Sequence, residues 1–215
     1  IALSNCWIAD LIVRDIGGEN TALRSLIFDF AHKELLSGWI TLYRNMYGLF
    51  GKTQIMMMKI IWDWAAYWAV PNVLFINKGY TDIDILKQYS SSTNSIGRRF
   101  AKLNECMQEL FQVWGQYDIE PCSDHQQNVF ELNCLRKFQL ELGLLYNSGD
   151  LIAKVESNME ILEQIAAEIF RLVSAQVNGT AYDLKVNPYM LSLENYMEPS
   201  EGTEPSEGIL KDVDA

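Results

Sequence analysis

Apolar side chains return every three to four residues through nearly every segment up to Val177, and the two-residue alternation of half-buried strands is almost missing. That period places a stripe on one face of a helix and fits no sheet. With 215 residues, 49% of them apolar, and 6 Trp, 10 Tyr and 9 Phe, there is enough material for a sizeable core. The expected fold is therefore mainly α.

Breaks in the pattern divide the chain. Leu3, Trp7, Ile8, Leu11 and Ile12 mark an opening helix to about Asp15, apolar on almost every side and ended by Gly17-Gly18. Asn20 or Thr21 caps a second helix to about Tyr47, carrying Leu23, Leu26, Ile27, Phe30, Leu35, Trp39, Leu42 and Tyr43. The third and most hydrophobic helix covers about residues 52–69 and is expected to stop at Pro71. Val73 to Ile76 reads equally well as strand or helix. Thr81 is the expected cap of the next helix, with Asp84 at its third position. Further helices are expected at about 96–117, 126–146 and 150–177, with a break from Pro121 to Asp124 and a turn at Asn147-Ser148-Gly149. Near the end Glu198-Pro199-Ser200-Glu201-Gly202 repeats as Glu204-Pro205-Ser206-Glu207-Gly208, so residues 180–215 are expected to form an acidic, largely disordered tail.

The net charge is −11, of which the 7 acids and 1 Lys from Glu194 onward supply −6, leaving −5 for residues 1–193. Nucleic acid is excluded as a partner, because phosphate binding needs clustered cations and the densest basic spot is Arg98-Arg99 with Lys102. The longest charge-free apolar stretch, residues 64–77, falls short of the roughly 18–20 residues that span a bilayer. A membrane-surface contact through its aromatic side chains is the weaker alternative. Cys6, Cys106, Cys122 and Cys134 match no disulfide or zinc framework, so free thiols in a reducing cytoplasm are expected. The chain opens at Ile1 in what reads as the interior of a helix, with no secretory pattern ahead of it. A piece of a larger protein is the expectation.

No phosphate-binding loop, nucleophile elbow, zinc-protease motif or dinucleotide fingerprint occurs, so no catalytic residue is assigned. His32 reads as an edge histidine on the second helix, and Asp124 beside His125 reads as a helix cap before it reads as an orienting carboxylate. Cys122-Ser123-Asp124-His125 offers two metal ligands where zinc needs three or four, and no metal is expected. Asp63 is the odd residue of the third helix. It pairs with Lys59 one turn earlier, or it is a polar group in an aromatic pocket with Trp62, Trp64, Tyr67 and Trp68 as walls; the ion pair is the favoured reading. Asp63, Tyr67 and Trp68 are the candidate pocket residues. Met56-Met57-Met58 points three ways at once, so at least one of them meets another helix or a partner domain.

The run Ile1-Ala2-Leu3-Ser4-Asn5-Cys6-Trp7-Ile8-Ala9-Asp10-Leu11-Ile12 resembles the helix that follows the second FAD-contacting motif of the flavin-dependent, tryptophan-type halogenases and related FAD-dependent oxidoreductases. The likeness continues through Tyr43-Arg44 to Phe50-Gly51, through Trp62-Asp63 to Tyr67-Trp68, and from Phe100-Ala101-Lys102-Leu103-Asn104-Glu105 to Trp114, about half of the chain. It implies the multi-helix C-terminal part of a larger α/β FAD-binding protein of the p-hydroxybenzoate hydroxylase-like kind. Residues 1–16 would be a flavin-side helix continuing from an N-terminal FAD-binding domain, and 17–179 a substrate-side helical region. FAD would be the cofactor, with Ser4 and Asn5 beside it, and a small organic molecule the substrate. The family's Gly-rich fingerprint, its lysine and its Trp-x-Trp-x-Ile-Pro signature are not in this chain; Trp62-Asp63-Trp64 lacks the proline at the required spacing. A non-enzymatic helical scaffold that holds a partner is the alternative.

Overall fold

The structure is a computed structural model in which residues 1–90, 95–117 and 132–176 are described, the side chains of 174–176 excepted. Cys122, the break at 121–124, His125 and the tail at 180–215 lie outside the described residues. The described residues form helices and turns and contain no strand. In chain order they are α1 (Ala2–Ile16), α2 (Ala22–Tyr43), α3 (Thr53–Tyr67), α4 (Val73–Ile76), α5 (Ile83–Ser90), α6 (Ile96–Trp114), α7 (Asn133–Glu141) and α8 (Ser148–Gln176).

At the centre lies α3, with Ile55, Ile61, Trp62, Ala65 and Ala66 all buried. Around it pack α6, α7 and α8. The stripe Leu151, Val155, Met159, Leu162, Ile165, Ile169 and Val173 of α8 is buried along its length, as its spacing requires. Asn147 does more than turn the chain: its Oδ1 accepts the Asp150 backbone N–H at 3.0 Å and starts α8 at Ser148.

Pro71 does not stop the third helix. The chain passes through it in a widened π turn (Trp68–Asn72) and continues as α4, which makes 73–76 helical rather than strand. The buried Asn158 of α8 donates from Nδ2 to the Ala69 carbonyl at 2.7 Å, so a backbone group inside that turn finds its partner in another helix. The cap of α5 also differs from expectation. It is Asp82, whose Oδ1 accepts the N–H of Asp84 at 2.9 Å and of Ile85 at 3.2 Å, while the Thr81 hydroxyl turns back to the Lys78 carbonyl.

One side of the molecule is built otherwise. Along α1 only Trp7 is buried, and along the 22 residues of α2 only Phe28. Ile8, Ile12, Val13 and Ile16 of α1 are exposed, as are Leu23, Leu26, Phe30, Leu36, Ile40 and Tyr43 of α2. Apolar residues therefore run right round α2. One side meets the body across a groove and the other is bare. Gly38 lies in the middle of α2, and a Cβ added there meets nothing within 4 Å. Gly38→Ala is expected to raise stability by about 0.5–1 kcal/mol through helix propensity alone. A lower melting temperature for this variant would show that the helix requires flexibility there.

Candidate functional site

The groove has a volume of about 610 Å³. Its outer wall is α2, through Ile27, Phe30, Leu35, Trp39 and Leu42. Its floor is α3 with the π turn, through Asp63, Ala66, Tyr67 and Pro71. Tyr80, in the turn before α5, and Leu86 and Tyr89 of α5 close it, and Gly97, Arg98, Phe100 and Asn104 line it from α6. Most of this surface is apolar with a few polar groups, and the volume lies in the range of roughly 300–1,000 Å³ usual for small-molecule sites.

Two of the three candidate pocket residues meet here. Tyr67 is half-exposed in the groove, its ring centroid 5.8 Å from that of Trp39 across it. Asp63 does both things expected of it. Its Oδ2 pairs with the buried Lys59 ammonium, its Oδ1 accepts from Gln108 Nε2 at 3.0 Å, and its side chain still lines the groove. Trp68 points elsewhere: it is buried in the core, its ring T-shaped against Trp64 at 4.9 Å. Trp62 is also core, its Nε1 donating to Asn104 Oδ1 at 3.0 Å, so Lys59, Trp62, Asp63, Asn104 and Gln108 form one polar seam between α3 and α6. Ser4 and Asn5 stand in the first turn of α1, away from the groove. His32 is an exposed edge residue whose ring lies 5.9 Å from Trp7.

Burial raises the Asp63 pKa above its ordinary 3.8, against the lowering pull of Lys59 and Gln108. The sign of the pH effect follows. Between the ordinary value and the raised one the folded chain holds more protons than the unfolded chain, so stability falls as pH rises across that window. Subtracting the stability curve of Asp63→Asn from that of the parent should isolate this fall. A difference curve that is flat, or that climbs with pH, would contradict it.

Sequence spacing did not reveal Tyr80. The Trp7 indole N–H donates to the Tyr80 carbonyl at 2.7 Å, and the two rings meet edge to face at 6.4 Å. Residues 73 apart carry no periodic signal of such a contact. Burial first, then the neighbouring Tyr89 and Tyr67, push the Tyr80 hydroxyl well above its ordinary value. Burial does the same for Tyr89. Both phenols are therefore neutral donors near neutral pH.

Cys106 and Cys134 are free and buried, and Cys6 is free and exposed. Burial raises the Cys106 thiol and pushes that of Cys134 up to about 11, which makes them packing groups rather than nucleophiles. Among the described residues no group of His, Cys, Asp and Glu could hold a metal ion, and no helix is long and apolar enough to cross a membrane. Met56, Met57 and Met58 are half-buried and pack against the core. Comparison with protein-family models, with curated proteins and with solved structures finds no match to this chain.

Proposed function

We propose that this chain is the substrate-side helical part of a larger FAD-dependent oxidoreductase of the halogenase-like kind. The groove behind α2 holds a small organic substrate, and the bare face of α1 and α2 seats on an FAD-binding domain. The observation that carries the reading is that face. Leu23 and Leu26 of α2 are 72% and 71% exposed, and Ile8, Ile12, Val13 and Ile16 of α1 are exposed as well. A helix that is apolar all round belongs between two layers, and apolar patches beyond roughly a few hundred Å² mark interaction surfaces.

The opening turn of α1 suits an electron-rich group. It has no acidic residue and no side-chain cap, and the side chains of Ser4 and Asn5 make no hydrogen bond to another described residue. Its free backbone N–H groups and the positive end of the helix dipole favour such a neighbour. FAD, when bound by the companion domain, supplies the redox chemistry. This chain's own part is to place Ser4 and Asn5 near it, and to hold the substrate between Asp63, Tyr67 and the α2 wall. Flavin identity rests on the resemblance of residues 1–114; the docking and the cavity rest on the geometry.

In the whole protein, Leu23→Glu with Leu26→Glu is expected to lower flavin retention at least tenfold, while the melting temperature of the 215-residue chain moves by less than about 1 kcal/mol equivalent, as exposed substitutions do. Full flavin occupancy and intact assembly in that variant would remove the reading. The same bare face also suits a non-enzymatic scaffold that holds a partner. In that case the pair of glutamates abolishes partner binding and no flavin accompanies the parent.

A further inference from the structure

One residue of the groove's lining carries a polar group that the fold leaves unanswered. Tyr80 is 3% exposed and lines the groove, and its hydroxyl has no hydrogen-bond partner. Buried hydroxyls are almost always paired, so an orphan at a cavity wall points to something that enters the cavity. The residue is held firmly from behind, since its carbonyl accepts from Trp7 and its ring packs on the Trp7 edge. Its phenolic neighbours Tyr67 and Tyr89 line the same groove.

The charges of the lining cancel. Asp63 is paired with Lys59, and Glu105 with Lys102. Glu34 and Arg98 remain, opposite in sign, and neither makes an ion pair with another described residue. Such a wall selects for no net charge. The shape is long: the lining extends along α2 from Ile27 to Leu42, roughly 22 Å at the helical rise per residue. Its sides are the aliphatic and aromatic groups of α2, α5 and α6.

We infer that the groove takes an uncharged, elongated, mainly hydrocarbon molecule whose terminal carbonyl or hydroxyl oxygen accepts the hydrogen bond of the Tyr80 hydroxyl. This rests on the reading of the groove as a substrate cavity and names the class of compound it accepts. To reach the hydroxyl, which is closed to solvent in the empty groove, the oxygen displaces a neighbouring side chain by a rotamer change.

Calorimetric titration of the full 215-residue chain with methyl nonyl ketone, undecane and decanoate tests it, in the parent and in Tyr80→Phe. Tyr80→Phe is expected to weaken ketone binding about tenfold, the worth of one net hydrogen bond, and in the parent the ketone should bind more tightly than the anion. The same variant should leave alkane binding unchanged. Because the hydroxyl is unpaired in the free protein, the melting temperature of free Tyr80→Phe should stay level or rise. An equal loss for ketone and alkane in Tyr80→Phe, stronger binding of decanoate, or a Tyr80→Phe variant that binds the ketone as the parent does would each overturn the inference and leave the cavity reading standing. Failure of all three probes to bind would remove the cavity reading itself.

Discussion

Trp7→Ala is expected to lower stability by about 3–5 kcal/mol, the cost of emptying a large aromatic site, or to release α1 from the body before the remainder melts. Trp7 is 5% exposed and is the one buried residue of α1. It stacks on Phe28 at 5.7 Å, meets Tyr80 edge-on and satisfies the Tyr80 carbonyl. Polar ties support it: Arg24 reaches both Asp10, at 3.0 Å, and the Thr81 carbonyl, at 2.8 Å. Those are partly exposed and are worth less than the ring. Urea denaturation measures the global loss. Amide exchange of residues 2–16 measures the local one, since an element with few buried contacts opens first. A Trp7→Ala chain within 1 kcal/mol of the parent (about that margin is the scatter of ordinary surface changes), with α1 still protected, would show that α1 is held by something else. Because the same side chain braces Tyr80, ligand affinity in the groove should fall together with α1 protection.

Asp63→Leu should cost about 3–5 kcal/mol, the penalty for leaving a buried charge without its partner. Lys59 is 4% exposed, and its ammonium is paired with Asp63. Asp63 also holds Gln108, whose Oε1 already lacks a partner, so the loss spreads along the seam toward Asn104 and Trp62. Replacing both members, Lys59→Met with Asp63→Leu, should return most of the stability, because two apolar groups of similar volume remove the desolvation of both charges. Denaturant titration of the parent, both single variants and the double variant closes the cycle. Additive losses, with the double variant worse than either single one, would mean that the two side chains act through packing and not through their charges.

The lysine–aspartate pair was legible because both residues sit on one helix at a spacing of four, where side chains face each other. The stripe of α8 was legible for the same reason, and so were the glycines that end α1. Pro71 misled because its effect on a helix depends on what lies beside it. Asn158, nearly ninety positions further on, satisfies the carbonyl that the widened turn presents. Asp82 in place of Thr81 is a smaller case of competition between two adjacent caps. The groove was half legible. Asp63 and Tyr67 stood out as polar groups in an aromatic helix, but Trp68, one residue on, turns into the core. Tyr80 and Tyr89 gave no signal, because they lie on short elements whose neighbours in space are remote in the chain.

Helical periodicity by itself determined that this chain folds as helices, where most of them start and stop, and which stripe of α8 is buried, since those follow from the 3.6-residue repeat and local capping. Which apolar face stays bare, which charge is shared between cavity and core, and which hydroxyl is left unpaired were decided only when the helices packed. Burial is a property of the neighbours an element acquires, and an all-round apolar helix such as α2 carries no mark of which side they will take.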